Sequence, residues 1–546
     1  MRIVECVPNI SEGRSPEVYN AVADAAAAVT GVELLDVDPG PETNRTVITF
    51  VGEPDAVLEG AFELVKKSYE LIDMTTHHGA HGRQGATDVC PFVPVSGVTM
   101  DDCVELARRL GKRVGEELGL PVFLYEYAAT RPERRSLADI RKGEYEALAE
   151  KLKTSEFTPD FGPAEFVPSF GAMVTGARKF LVAYNVDLNV TDKRWANRVA
   201  FDVREAGRMV TGPDGQSVQQ PGALKAVRGM GWFIPEYGCA QVSMNLVDLD
   251  VTPVHVAFDA CDESARARGI RVTGSELVGL IPRQSMLDAG VHYLKKMERS
   301  PGVPQEDIIH AAVRSLGLNE VAPFHPKEKI IEDILTPERP LASLTLQGFA
   351  DETSRDSTAP GGGSVAALAG ALGAALAAMV ANLPHPKAPF ADVRDDLEDV
   401  SVRGQALKQK LLDAIDEDTW SFQRLMDANK VSGEAKAAAV REATLGAALV
   451  PLQVTEACPE IVELCARSRK LGMSASASDA GVGAAMARAA ALGAAMNVRI
   501  NLQDMADDEE AAAMLERADA ALAATCKAAA ALEAEVWNLL GGGELP

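Results

Sequence analysis

The chain changes character near residue 345, and this change limits its fold more than any other feature of the sequence. Before that point, short runs rich in Val, Ile and Leu alternate with stretches of helical periodicity. After it, alanine-rich helical patterns continue nearly to Leu540 without a convincing strand. At 546 residues the chain is also too long for one hydrophobic core. We therefore expect an α/β part followed by an all-α part.

The α/β part shows one order of elements twice. Candidate strands lie at 2–7, 32–38, 45–51 and 121–127, with helices at 15–29, 54–72, 99–118 and 134–152. The order recurs with strands at 179–190, 227–234, 240–251 and 272–281 and helices at 193–208, 252–268 and 284–297. This order predicts two similar βαββαβ subdomains with a cleft between them as the ligand site. We place them at 1–178 and 179–321, followed by a linker at 322–345 and a helical domain at 346–546.

The helical domain contains a stretch that imitates a membrane span. Residues 364–383 carry no charge over 20 positions, but Ala and Gly make up more than half of them. Such a composition has a weak preference for the bilayer and favours a tightly packed buried helix. Further helical patterns cover 402–429, 432–465 and 504–540. Because long Ala-rich helices often associate with copies of themselves, we expect a homo-oligomer formed through this domain.

The net charge and the cysteine content limit the classes of binding partner and the cellular compartment that we expect. A formal net charge of −25 argues against nucleic acid and against an anionic membrane, since both attract clustered Lys and Arg. The 8 cysteines have no framework spacing, and the first residues do not resemble a signal peptide. These features predict reduced thiols and a cytoplasmic location.

A glycine-rich segment with clustered histidines is the strongest candidate site. Three of the 8 histidines, His77, His78 and His81, fall within five residues, close to Arg83 and Asp88. Histidine exchanges a proton near neutral pH, an arginine can hold an anion, and an aspartate can orient an imidazole. Proton transfer, metal binding and a structural turn all remain open. The glycines argue against a helical metal pair, and no Cys-x-x-Cys occurs. The pattern therefore predicts an active-site loop.

A second loop candidate spans residues 161–172 and combines two Gly, two Pro and three Phe. The prolines and glycines predict an irregular loop, and the rings offer flat surfaces that could stack on a heterocycle or fill a domain interface. Arg178 and Lys179 follow directly as adjacent cations, which could bind a carboxylate.

These motifs resemble a known family. The segments 7–13, 85–92 and 162–180 resemble glutamate formimidoyltransferase, while 359–367, 416–418 and 497–502 resemble the cyclodeaminase fused to it in formimidoyltransferase-cyclodeaminase. The resemblance covers nearly the full length. It implies transfer of a formimino group from N-formimino-L-glutamate to N5 of tetrahydrofolate, in histidine degradation. Cyclisation to 5,10-methenyltetrahydrofolate with release of ammonia would then follow.

The resemblance also implies roles for individual residues. His81 matches the catalytic histidine of the transferase, and Asp418 matches the acid–base aspartate of the cyclodeaminase. The substrate-binding stretch for folate carries over to Gly162, Pro163, Ala164, Glu165, Phe166, Val167, Pro168, Ser169, Phe170 and Gly171. A further folate contact maps to Gly222, with Arg178, Lys179 and Lys225 as electrostatic helpers. The family uses tetrahydrofolate, including polyglutamylated forms, as co-substrate, and it uses no metal.

Two features bear on the second activity. The backbone N–H groups of residues 361–364, at a predicted helix start, could bind an anionic part of folate. Residues 383–390 depart from the stretch that relatives often carry, and we expect this difference to affect the second site. The alternatives are a helical domain that acts as a methenyltetrahydrofolate cyclohydrolase, or one that is a catalytically silent oligomerisation scaffold.

Overall fold

The structure is a computed structural model that describes residues 2–41, 43–79, 82–235, 237–335, 339–357, 359–433 and 435–543. Its contacts divide the chain into two compact units. Unit 1 comprises the residues up to Ser285 together with Gly317–Leu335, and unit 2 comprises Met286–Leu316 and the remaining C-terminal residues. The two units are described separately below.

The first half of unit 1 is one sheet with helices packed on it. Its elements are β1 (Ile3–Cys6), β2 (Asn9–Ile10), α1 (Pro16–Ala27), β3 (Val32–Gly40), β4 (Arg45–Gly52), α2 (Pro54–Leu71), β5 (Thr87–Ser96), α3 (Met100–Glu117), β6 (Val122–Glu126), α4 (Leu137–Arg141), α5 (Glu144–Lys151) and β7 (Met173–Ala177). The strand order is β3-β4-(β1, β2)-β5-β7-β6. β7 runs parallel to β5 and β6, and the other pairs are antiparallel. The core between this sheet and helices α1, α2 and α3 holds fully buried side chains such as Phe50 and Phe92.

The second half of unit 1 has a smaller sheet. Its elements are β8 (Val182–Leu188), α6 (Lys193–Val203), β9 (Arg208–Thr211), β10 (Ser217–Gln220), β11 (Val227–Ile234), β12 (Cys239–Leu246), α7 (Val254–Arg266) and β13 (Val272–Val278). The strand order is β11-β12-β8-β13, all antiparallel. β9 and β10 form a separate hairpin that the sequence did not predict.

The prediction of two similar βαββαβ subdomains is confirmed, because β3-β4-β1-β5 and β11-β12-β8-β13 have the same connectivity. One detail of the prediction is wrong. The fourth strand of the first subdomain is β5, whereas the predicted strand at 121–127 is β6, which extends the sheet beyond β7. Pro91 and Pro94 made the β5 segment resemble a loop. Pro91 lies between the stretches of β5 that pair with β1 and with β2, where no ladder bond needs its missing N–H, and its carbonyl accepts the Val7 N–H at 3.2 Å.

Four helices follow the second subdomain: α8 (Arg283–Lys296), α9 (Gln305–Leu316), α10 (Pro326–Lys329) and α11 (Ile331–Leu335). The segment with most of α8 and all of α9 belongs to unit 2. There the Ser300 hydroxyl lies 3.0 Å from that of Ser401, and the Asn382 amide donates to the Gly302 carbonyl at 2.6 Å. A domain boundary at 321 would instead assign this segment to the second subdomain.

Unit 2 also contains the predicted helical region. Its helices are α12 (Leu346–Thr353), α13 (Gly362–Asn382), α14 (Arg394–Ala428), α15 (Ala435–Leu471), α16 (Ala477–Leu502) and α17 (Glu509–Leu539). α13 packs against α14, α15 and α16, and α17 covers α15 and α16. By length and composition α13 and α15 could each cross a membrane, but 61% and 67% of their apolar windows are buried within the protein. This burial agrees with the prediction of a packed core helix at 364–383.

Candidate active sites

The histidine-rich segment and the predicted folate loop lie side by side. Gly85 and Gly171 form an antiparallel bridge, in which the Ala86 N–H donates to the Phe170 carbonyl at 2.8 Å. Gly171 has φ +82°, and a methyl group on it would lie 2.2 Å from the Gln84 carbonyl oxygen. Glycine is therefore required for this approach. Two motifs whose bridged residues are 86 positions apart in sequence (171 − 85) thus form one continuous backbone surface.

The N-terminal motif borders the same surface. The Ser11 N–H donates to the Ala86 carbonyl, and its hydroxyl donates to the Gly85 carbonyl, both at 2.8 Å. The Asn44 side chain accepts from the Gly13 N–H at 3.0 Å and donates to the His78 carbonyl at 3.1 Å. Segments 11–13, 84–86 and 168–172 therefore surround the start of β5. Asn44 was not singled out from the sequence, and its place in a turn between two strands gave no signal of this role.

The three histidines differ in their surroundings. His77 is 7% exposed; its Nε2 lies 2.9 Å from the Asn44 carbonyl, and its Nδ1 lies 3.2 Å from Nε of Arg83, which must be the donor. His77 is thus assigned as neutral with its proton on Nε2. Burial lowers its pKa, and the Arg83 charge acts in the same direction. His78 is exposed, and His81 lies outside the described residues.

Arg83 and Asp88 do not have the roles that the sequence suggested. All five N–H donors of Arg83 have protein acceptors, which are Glu144, Glu146 and two atoms of His77. Arg83 is therefore occupied within the protein and is not a free anion site. Asp88, which is fully buried, contacts two arginines instead of an imidazole.

Asp88 organises a buried ionic cluster at the start of β5. Arg45 and Arg141 both form ion pairs with its carboxylate, which also accepts the Gln84 N–H at 2.9 Å. The guanidinium side chains are 11% and 16% exposed. Two cations around one carboxylate give this cluster a formal charge of +1, while Arg83 with Glu144 and Glu146 carries −1 beside the same loop. No sequence motif pointed to Arg45 or Arg141.

Two polar side chains of the same segment are buried without a partner. Both amide atoms of Gln84 and the hydroxyl of Thr87 have no hydrogen-bond partner among the residues that the structure describes, and both residues are 0% exposed. Buried polar atoms are normally paired in folded proteins, so these unpaired atoms are open to a hydrogen bond from water or from a bound molecule. Both residues lie within the four positions that precede Asp88, on the segment that contacts the folate loop.

In the loop at 161–172, the rings of Phe166 and Phe170 pack against other side chains of the protein, so the loop presents mainly backbone groups to a ligand. Phe170 is 0% exposed and packs edge-on against Tyr69, so its ring belongs to the core. Phe166 contacts the ring of Tyr145, whose hydroxyl donates to the Pro168 carbonyl at 2.6 Å. Gly162, at the start of the predicted stretch, has φ +77° and packs against the Leu120 backbone. Stacking on Phe170 is therefore excluded in this arrangement.

The remaining residues predicted for the first site lie elsewhere in unit 1. Gly222 follows the hairpin and packs against the Arg204 backbone, with its N–H 3.4 Å from the Glu205 carbonyl. The Lys179 ammonium contacts Asp248 at 3.0 Å and Asp250 at 2.7 Å, which compensates its charge. The exposed ammonium of Lys225 lies 3.7 Å from Glu205.

In unit 2, the three motifs of the second candidate site converge. The Asp418 carboxylate, on α14, lies at the N-terminus of α13 and accepts the Ser364 hydroxyl at 3.2 Å. A methyl group on Gly363 would lie 2.2 Å from this carboxylate, and one on Gly362 would lie 3.3 Å from the Asn497 amide on α16. Burial raises the pKa of Asp418, and the hydroxyl and backbone N–H of Ser364 oppose this rise. A half-buried carboxyl with a raised pKa suits acid–base chemistry.

The neighbours of Asp418 on α14 face other surroundings. Asp416 is 1% exposed and accepts the backbone N–H groups of Leu341 and Ala342 at 2.9 and 3.0 Å. Glu417 forms an ion pair with Arg424 on the helix surface. Only Asp418 of the three acids lies at the N-terminus of α13.

The unusual stretch at 383–390 begins at the other end of α13. A helix of 21 residues separates its ends by roughly 30 Å. Within one chain, the altered residues are therefore remote from Asp418, and the expected effect on the second site has no direct contact to support it.

Taken together, these features define an acid–base enzyme with one candidate site in an α/β unit and another in an all-α unit. Comparisons with known proteins identify its family. Family models match residues 3–178 (formiminotransferase domain, N-terminal subdomain), 183–336 (formiminotransferase domain) and 345–520 (formiminotransferase-cyclodeaminase). The formimidoyltransferase-cyclodeaminase of Mus musculus is 44% identical over 516 residues, which are 93% of this chain and 94% of the mouse protein. The chain belongs to the formimidoyltransferase-cyclodeaminase family.

Two shorter relatives match parts of the chain. A glutamate formimidoyltransferase of Thermoplasma acidophilum is 42% identical over 297 residues, covering 54% of this chain and 93% of that protein. A methenyltetrahydrofolate cyclohydrolase of Methylorubrum extorquens is 35% identical over 169 residues, covering 30% of this chain and 81% of its own length.

Proposed function

We propose that the chain transfers the formimino group of N-formimino-L-glutamate to N5 of tetrahydrofolate and then cyclises the product to 5,10-methenyltetrahydrofolate, releasing ammonia. The observation that carries this proposal is the bridge between the histidine-rich segment and the folate loop, at Gly85 and Gly171. It brings a proton-transfer motif next to a ligand-binding motif. Membership of a family that unites both activities supports the same function.

In the transfer step, N5 of tetrahydrofolate attacks the formimino carbon, and the bond to the glutamate nitrogen then breaks. We assign His81 as the base that accepts the N5 proton and returns a proton to the departing nitrogen. The geometry of His77 supports this choice, because both of its ring nitrogens already face protein groups. The formal charge of +1 on the cluster of Arg45, Arg141 and Asp88 suits a substrate that carries carboxylates.

In the cyclisation step, N10 attacks the formimino carbon on N5, and the formimino nitrogen leaves as ammonia. We assign Asp418 as the group that moves protons between these two nitrogens. Its raised pKa favours a carboxyl that holds a proton for the leaving nitrogen. The hydroxyl of the fully buried Ser364 lies 3.2 Å from that carboxyl and 2.9 Å from the Ile415 carbonyl, so its one proton serves either acceptor.

Two single substitutions test the assignments together. His81→Ala should reduce formiminoglutamate-dependent consumption of tetrahydrofolate by about a hundredfold or more, while ammonia release from supplied 5-formiminotetrahydrofolate continues. Asp418→Asn should do the reverse, so that 5-formiminotetrahydrofolate accumulates without ammonia. The measurements are substrate consumption, ammonia and methenyltetrahydrofolate absorbance for each variant.

Matched controls are His310→Ala on α9 and Asp427→Asn on α14, both exposed positions that should leave both rates unchanged. Retained transfer in folded His81→Ala would move the base to another residue, with the exposed His78 as the next candidate. Unchanged ammonia release in Asp418→Asn would favour the silent-scaffold alternative or a different catalytic group.

A second candidate function applies to the helical domain alone. The match to a methenyltetrahydrofolate cyclohydrolase favours a domain that hydrolyses methenyltetrahydrofolate. The products separate the two functions, because cyclodeamination releases ammonia from 5-formiminotetrahydrofolate and hydrolysis consumes methenyltetrahydrofolate without ammonia. We expect ammonia.

The proposal extends to cofactors, assembly and location. We propose tetrahydrofolate, including polyglutamylated forms, as the co-substrate, and a reaction that uses no metal. We also propose that the protein acts in the cytoplasm, where its cysteines would be reduced. We also propose a homo-oligomer formed through the helical domain. Exposed apolar side chains support it: Leu372 and Met379 on α13, and Leu492, Met496 and Ile500 on α16, are each 38–58% exposed.

A further inference from the structure

A polar cluster lies on the second sheet of unit 1, apart from the histidine-rich segment in sequence. Gln241 on β12 is directly opposite Trp232 on β11 and Asp187 on β8. Residues directly opposite on neighbouring strands share one face of a sheet. The adjacent residue, Gly231, lies against the backbone of α6, so the side of the sheet to which Gly231 belongs is covered by a helix. Because successive residues of a strand face opposite sides, Trp232, Gln241 and Asp187 lie on the other side of the sheet.

Asp187 has an unusual environment for a carboxylate. It is 1% exposed, and its Oδ1 accepts the Gln241 amide at 2.6 Å with the Cys239 thiol at 3.8 Å. Its Oδ2 is buried without a hydrogen-bond partner in the described part of the chain. Burial raises the pKa of Asp187, and the nearby Glu276 carboxylate acts in the same direction. A buried carboxylate oxygen without a donor is costly, and this cost indicates a role other than stability.

The orientation of this carboxylate is fixed. Gln241 is fully buried, and while its amide nitrogen donates to Asp187, its amide oxygen accepts the indole N–H of Trp232 at 3.0 Å. The amide therefore cannot rotate without breaking one of two hydrogen bonds. The Trp232 ring remains 39% exposed beside it. Oδ2 of Asp187 is thus an acceptor held in a fixed direction, and Gln241 lies between this carboxyl and the ring of Trp232.

We propose that Asp187 binds a planar N–C–N group of a substrate through its N–H donors. Oδ2 offers one acceptor to an N–H of such a group, while Oδ1, which already accepts from Gln241, holds the carboxyl in place. This inference rests on the proposed function, whose two substrates both carry this chemistry. The formimino group of formiminoglutamate is a formamidine, and the pterin of tetrahydrofolate has a 2-amino group beside an N–H.

Asp187→Asn tests the inference with almost no change of shape. The asparagine oxygen can still accept from Gln241, but an amide N–H₂ replaces Oδ2 and faces the substrate donors. We expect KM for one substrate to rise about ten- to a hundredfold, with ammonia release from supplied 5-formiminotetrahydrofolate intact. A rise confined to formiminoglutamate identifies the formamidine, and a rise confined to tetrahydrofolate identifies the pterin. Thermal stability should be equal or higher, because an unpaired buried charge is removed.

Two further variants complete the experiment. Trp232→Phe keeps the ring but removes the donor that fixes Gln241, so it should raise the same KM by a smaller factor; it carries the test if Asp187→Asn does not fold. Asp214→Asn, in the exposed turn between β9 and β10, is the matched control and should change neither KM.

Calorimetric titration of tetrahydrofolate and of formiminoglutamate into the parent and Asp187→Asn separates binding from turnover. Unchanged KM and unchanged affinity for both substrates in folded Asp187→Asn would overturn the inference while leaving the proposed function standing. Absence of transfer activity in the parent would instead overturn the proposed function.

Discussion

At the scale of single residues, the sequence indicated which side chains belong to the candidate site, but it did not indicate which residues they contact. Arg83 and Asp88 were both selected from the sequence, and both are buried at the candidate site. The sequence suggested an anion for Arg83 and an imidazole for Asp88, but the structure pairs Arg83 with Glu146 and Asp88 with Arg45. These partners are 63 and 43 residues away, and local spacing contains no information about contacts at such a distance.

Glu5 on β1 provides a prediction at this scale. It is 5% exposed, and burial raises its pKa from 4.5 to about 7, against the opposing charge of Arg178. Between these two pH values the unfolded chain releases a proton that the folded chain keeps, so stability falls as pH rises through this window. Glu5→Gln removes the effect. At pH 8 we expect Glu5→Gln to have a higher melting temperature than the parent and a free energy of unfolding that is greater by up to about 3 kcal/mol. At pH 5 we expect a much smaller difference.

Thermal unfolding at both pH values checks this expectation. The control is Glu33→Gln, which replaces an exposed carboxylate on strand β3 of the same sheet and should show no pH-dependent difference from the parent. Equal melting temperatures of Glu5→Gln and the parent at pH 8 would show that Glu5 is neutral or compensated there.

At the scale of elements, periodicity predicted strands and helices well where one face is buried. It located β11 at 227–234 as found, but not β5, where two prolines interrupt the pattern, nor the hairpin of β9 and β10, whose second strand is exposed throughout. The predicted helix at 134–152 is divided into α4 and α5, because Gly143 adopts φ +82° between them. Turn conformations and edge hairpins depend on tertiary contacts that a short sequence window does not contain.

Helix α14 provides a prediction at this scale, because two of its aspartates face different partners. The Asp416 carboxylate accepts hydrogen bonds from the backbone N–H groups of residues 341 and 342. In Asp416→Asn the side-chain NH₂ replaces one of the two accepting oxygens and faces a backbone N–H, so one of these hydrogen bonds is lost. We expect a loss of about 1.5–3 kcal/mol in the stability of unit 2, with ammonia release retained in the folded protein.

The measurement compares Asp416→Asn with Asp418→Asn by thermal unfolding and by ammonia assay. Opposite patterns are expected from the same chemical change two positions apart: one variant loses stability and the other loses activity. Loss of ammonia release in fully folded Asp416→Asn would place Asp416 in the chemistry and would contradict its assignment as an anchor.

At the scale of the whole molecule, the predicted order of an α/β part and an all-α part agrees with the structure. The composition of each part contained the necessary information, since strands need β-branched runs and close-packed helices need small residues. The segment at 286–316 was beyond such reasoning. Its helices resemble those of the α/β part in sequence, but its contacts with Asn382 and Ser401 belong to unit 2.

Assembly is the prediction that belongs to this scale. Leu492 and Ile500 lie eight residues apart, on one side of α16, and are 45% and 56% exposed. Glu at both positions should lower the mass measured by sedimentation at equal protein concentration, because a charge would be buried in the interface. Ala520→Glu, at an exposed site on α17, adds the same charge as a control and should leave the mass unchanged. An unaltered mass in the double variant would place the interface elsewhere.

The length of α13 has a consequence for how this protein can diverge. Its N-terminus faces Asp418 and its C-terminus leads into residues 383–390, so mutations at the two ends are subject to different selection. Drift in the distal stretch is expected to be neutral for chemistry within one chain, and insertions there should be tolerated. Gly363 has no such freedom, because any side chain on it would collide with the reactive carboxyl. A single helix thus separates an evolutionarily permissive end from a restrictive one.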